Sequence, residues 1–124
     1  MRAIIIRSSR GEMSRVRHML ANLVSDIEVS EYDPEQSGQP GADFGWAIYD
    51  LLVISDRLAG SESGLAWLAA FALNARLPAT IVVAERHDEF IAAKVSNMRR
   101  TAYVVRADLD TATLGRLLDS LNLK

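Results

Sequence analysis

The side chain best placed to do chemistry in this sequence is Asp56. It follows Leu51-Leu52-Val53-Ile54-Ser55, whose apolar part, Leu51 to Ile54, is the clearest buried strand in the chain. In an open sheet, a residue at that point projects into the crevice at the strand's end. A carboxylate there can act as a nucleophile in phosphoryl transfer and carry an acyl phosphate. The competing role is an aspartate that caps the following loop or helix, and periodicity by itself favours the cap. Other reactive-looking patterns fail on spacing. Gly60-Ser61-Glu62-Ser63-Gly64 has the outline of a nucleophile elbow, but Glu62 stands where that motif needs serine. The same loop has too few glycines, and no lysine, for a phosphate-binding P-loop. Arg7-Ser8-Ser9-Arg10-Gly11 holds a single glycine and so makes no dinucleotide fingerprint. Its arginines and backbone amides could hold an anion weakly, although a solvated loop is the commoner outcome. His18 lies off the apolar stripe of its helix and His87 lies in a loop; two distant histidines without clustered acids make no zinc site. The chain has no cysteine, which excludes disulfides and thiol chemistry and suits a reducing compartment.

These residues need a scaffold, and the composition supplies one. The chain has 124 residues, 49% of them hydrophobic and 24% charged, enough for one domain with a real core. A net charge of −2 provides no basic field for nucleic acid, and Arg99-Arg100 is a lone basic pair that reads as surface. The longest apolar runs, such as Leu65 to Leu73, are too short to span a bilayer, and Ala3 to Ile6 is too short for a signal peptide. A cytoplasmic chain without membrane contact is expected.

Ala3-Ile4-Ile5-Ile6 is a β-branched run typical of a strand covered on both faces. Met13, Val16, Leu20 and Leu23 recur at helical spacing and predict a helix over 13–24. Ile27 to Tyr32 alternates as a second strand. Pro34, Gly38, Pro40 and Gly41 then break the chain, leaving room for a short or irregular second helix around Ala42 to Ile48. Leu51 to Ile54 is the third strand, Leu65 to Asn74 an apolar helix, and Thr80 to Ala84 a fourth strand after the turn at Pro78. Phe90 to Met98 predicts a helix with Ile91, Val95 and Met98 on one face; Tyr103 to Val105 is a fifth strand; Leu114, Leu117, Leu118 and Leu121 stripe a last helix. Trp67 falls on the apolar third helix and reads as core. Trp46, beside Gly45 in the broken segment, either packs over the sheet or anchors a partner. Five strands alternating with helices imply a doubly wound parallel sheet, because each parallel connection needs a crossover. The flavodoxin-like order 2-1-3-4-5 is the natural arrangement, with chemistry collecting at the carboxyl ends of the central strands, in the loops after Ile6, Ser55 and Ala84.

The segment Asp50 to Leu65 resembles the third strand and following loop of the receiver domain of bacterial two-component response regulators. There, an aspartate opens an apolar strand that ends at the phosphoacceptor aspartate, and a glycine-leucine pair opens the next helix eight residues later. Asp56 and Gly64 keep that spacing. Pro78 stands where the family places proline before its fourth strand, and Tyr103 precedes Arg106 by three residues, as the family's switch aromatic precedes its lysine. The resemblance covers residues 1–124 as a single receiver-like domain and implies a signal-transduction module, not an enzyme.

Departures from the family pattern imply a degenerate, or pseudo-, receiver. Arg7 and Ser8 occupy the positions of the acidic pair that binds magnesium, and neither is a good ligand for a hard cation. Ala84 takes the place of the hydroxyl residue that contacts the phosphoryl group, Arg106 that of the lysine, and Ala59-Gly60 that of the usual methionine-proline. The expectation is therefore a module that works through protein–protein interaction or dimerisation, without normal magnesium-dependent phosphorylation and without a cofactor. Arg7, Arg106 or both would pair with Asp56; the competing reading turns Arg7 to solvent and leaves Arg106 as the partner. Tyr103 reads as a half-buried strand tyrosine with its hydroxyl at the surface. The partner would be another protein, an attached output domain, or a second copy through the face running from Phe90 to Leu121. Lys124 falls just after the last helix, which suits either a fragment of a longer protein or a stand-alone regulator. The alternative is a phosphorylation-competent receiver that accepts phosphate on Asp56 from a histidine kinase, with magnesium.

Overall fold

The computed structural model describes residues 1–6, 14–33, 45, 48–55, 78–98 and 100–123. Its elements are β1 (Arg2–Ile6), α1 (Ser14–Leu23), β2 (Glu28–Tyr32), β3 (Leu51–Ser55), β4 (Ala79–Ala84), α2 (Glu89–Ser96), β5 (Thr101–Val105), a 3₁₀ turn (Arg106–Asp108) and α3 (Thr111–Ser120). The five strands form one sheet in the order β2-β1-β3-β4-β5, every neighbouring pair parallel. This is the doubly wound, flavodoxin-like arrangement expected from the sequence. The helices expected around Ala42 to Ile48 and over Leu65 to Asn74 lie outside the described residues almost entirely, as do Trp46 and Trp67.

The central strands are apolar at successive positions because they are covered on both sides. Ala3, Ile5, Leu51, Val53, Ala79, Ile81 and Val83 send their side chains into one core with Val16, Met19 and Leu20 of α1 and Leu114 and Leu118 of α3. The alternate residues Ile4, Ile6, Leu52, Ile54 and Val82 build a second core with Val95 of α2, to which Ile91, Met98, Tyr32, Tyr49 and Tyr103 add partial cover. The period of two along each strand thus distributes one continuous apolar run between two cores. The expected stripes of α2 and α3 are the buried ones, with Leu117 and Leu121 of the α3 stripe also against the first core. Met19, off the expected α1 stripe, is buried as well.

Local signals set the ends of these elements. Asp88 caps α2, its Oδ1 accepting from the amides of Phe90 and Ile91 at 2.9 and 3.2 Å. Asp110 caps α3, accepting from the Thr113 amide at 2.7 Å. α3 closes with Asn122 in the left-handed region at φ 60°, its amide on the Asp119 carbonyl and the Leu123 amide on the Leu118 carbonyl. That is the paired bond pattern that satisfies the last carbonyls of a helix, and Leu123 packs against the core beside it. At the amino edge of the sheet, the Arg2 amide donates to Asp50 Oδ2 at 2.9 Å while the Asp50 amide donates to the Arg2 carbonyl at 2.7 Å, clasping β1 to the start of β3. No helix of the described residues is long and apolar enough to cross a membrane.

Two tests follow from this packing. Leu52→Ala removes a fully buried side chain from the middle of the sheet and is expected to cost about 2–5 kcal/mol, read as a lower urea midpoint. The bond from the Thr113 amide, a second from the Thr113 hydroxyl and attraction by Arg116 hold the Asp110 carboxyl below its ordinary value. A depressed folded value contributes stability above the unfolded value and loses it as pH falls through the folded one. Stability is therefore expected to drop on acidification below about pH 4, and Asp110→Asn, which keeps a capping oxygen, flattens that part of the profile. An unchanged acid limb in urea melts of the variant would contradict this.

Candidate functional site

Because all five strands are parallel, their carboxyl ends, Ile6, Tyr32, Ser55, Ala84 and Val105, lie along one edge. Ser55 pairs with Val83, so Ala84 stands one position beyond that pair, and across from it is Val105. Ala84 is 0% exposed. A methyl group there neither donates nor accepts a hydrogen bond. Ser55 is also buried and is engaged in a polar interaction. Asp56, Arg7 and Ser8 lie outside the described residues.

Arg106 follows β5 directly and opens the 3₁₀ turn. It is half-buried and takes part in an interaction. This short turn carries the chain from the sheet edge to Asp110, and the Leu109 amide closes it on the Arg106 carbonyl at 3.1 Å. Leu109 then turns into the core, and its carbonyl accepts from Arg15 Nη2 of α1 at 3.3 Å. The turn that carries Arg106 is thus closed on itself and tied to α1 at Leu109.

Tyr103 pairs with Val82 in register and leans on the second core, half-buried as expected. Its hydroxyl does more than reach the surface: it accepts from the Asp88 amide at 3.1 Å. The His87 ring meets the Tyr103 ring edge-on, with centroids 6.2 Å apart and planes at 71°, an arrangement favoured by ring quadrupoles. Asp88 therefore serves β5 through its backbone and α2 through its carboxylate. An aspartate just ahead of Phe90-Ile91 is a legible start signal for a helix. The bond from its amide to a residue on the next strand has no signature in the sequence, and neither has the contact of His87. His18 is exposed on α1, apart from this edge. Among the described residues no three acidic or histidine side chains gather as a metal-holding group.

The fold is that of known receiver domains. A signal receiver domain of a DNA-binding response regulator from Colwellia psychrerythraea superposes with a TM-score of 0.78 at 12% identity, covering 100% of this chain and 99% of that one. A response regulator receiver protein from Pseudoalteromonas atlantica gives 0.71 at 14% identity over 98% and 97% of the two chains. The signal receiver domain of an HD domain-containing protein from Pseudomonas fluorescens gives 0.69 at 19% identity over 98% and 93%. No family model matches the sequence, and no curated protein matches it.

The junction at Asp88 can be tested from both of its ends. Tyr103→Phe removes the acceptor and is expected to cost about 0.5–1.5 kcal/mol, with faster hydrogen exchange at the Asp88 amide. Asp88→Ala is expected to cost about 1 kcal/mol, with faster exchange at Phe90 and Ile91. Exchange at Asp88 that is unaltered in Tyr103→Phe would show that the bond is not made in solution.

Proposed function

We propose that this chain is a regulatory module of signal transduction, a degenerate receiver that works by binding another protein or a second copy of itself and does not undergo normal magnesium-dependent phosphorylation. The observation that carries the reading is Ala84. It is fully buried at the end of β4, at the position where the receiver resemblance places a hydroxyl that contacts the phosphoryl group. A phosphoryl oxygen there meets a methyl and finds no hydrogen bond. The engagement of the Tyr103 hydroxyl by the Asp88 amide supports the same reading, because the residue in the switch position already has a local partner.

Residue types extend the reading to the rest of the site. Phosphoryl transfer depends mainly on positioning and on neutralising oxygen charge. Arg7 and Ser8 stand where the acidic pair would hold magnesium, and a guanidinium cannot ligate a cation. A site with Asp56 as its single carboxylate does not fit a resident hard cation well. Arg106, Arg7 or both would instead form charge-assisted bonds with Asp56 and hold the domain in one state. Such a module is a regulator and not an enzyme. It would act in the cytoplasm, without direct contact with nucleic acid or membrane.

For the partner, we infer the face made by α2, β5 and α3, from Phe90 to Leu121. Phe90 is 67% exposed there, with the Lys94 ammonium 4.7 Å from its ring centroid. Aromatic residues, phenylalanine among them, are enriched in protein interfaces relative to the rest of the surface. The face would receive an attached output domain, a separate protein or its own copy.

Incubation with acetyl phosphate and magnesium, followed by intact-mass measurement, tests the central claim. No phosphorylated species is expected. A phosphorylated form that disappears in Asp56→Asn would instead establish the alternative, a receiver that accepts phosphate on Asp56 from a histidine kinase. Where the face receives a second copy, sedimentation velocity across a concentration series shows a dimer that Phe90→Glu weakens at least tenfold. A dimer indifferent to that substitution would place the interface elsewhere.

A further inference from the structure

No further inference is drawn: the strongest candidate, the exposed Phe90 ring on the first turn of α2 with the Lys94 ammonium over it, is a surface patch for which nothing in the structure shows what covers it.

Discussion

The whole molecule depends on the double burial of its central strands. β1, β3 and β4 are apolar on both faces, and neither face can be left to water. Helices must therefore lie on both sides of the sheet, and right-handed crossovers of that kind keep every strand parallel. Parallel strands in turn bring five carboxyl ends to one edge. The candidate site is thus a by-product of how the core is covered, and its position would be the same whatever residues occupied it. What the edge can do is decided by a few side chains, and a buried methyl at Ala84 is as definite a chemical statement as a hydroxyl would be.

The surroundings of Ala84 give a consistent picture. The turn between β4 and α2 uses Asp88 to start the helix and to hold the ring of Tyr103, with His87 against that ring's edge. The turn after β5 fixes Arg106 between the sheet and the buried Leu109. Both turns combine local bonds with one bond to a neighbouring element. The fold is shared with receiver domains at identities of 12–19%. Such a likeness in shape accompanies wide divergence in residue type, so the two classes of information answer different questions.

The architecture was legible because burial leaves a strong imprint on sequence. The short β-branched and leucine runs Ala3 to Ile6 and Leu51 to Ile54 read as interior strands, and the stripe Leu114, Leu117, Leu118 and Leu121 as the inner side of a helix, and the core confirms both. Strand ends shifted by a residue or two, as at Arg2, Ala79 and Thr101, where hydrogen-bond pairing continues past the apolar run. The placement of Ala84 at the last position of β4 was also readable, because strand register follows the apolar pattern. The Tyr103–Asp88 bond was not readable. It joins residues 15 apart in sequence, on different elements, and depends on where the helix comes to lie against β5. The pairing of Asp56 with Arg7 or Arg106 belongs to the same class of question, since residue type suggests attraction but carries no distance.

The clasp between Arg2 and Asp50 bears on how the protein is made. β1 is made before the other strands of this sheet, yet it lies inside the sheet between β2 and β3, and its clasp to the start of β3 spans 48 positions of chain. Until residue 55 has emerged, Ala3 to Ile6 must wait with an open hydrogen-bonding edge, and Ile4 and Ile6 wait longer still for Val95 of α2. Long-range parallel pairing of this kind slows folding, and exposed apolar edges invite association between nascent chains. Arg2 and the two glutamates of β2 place charge on this part of the sheet, and charge along a strand edge opposes such association.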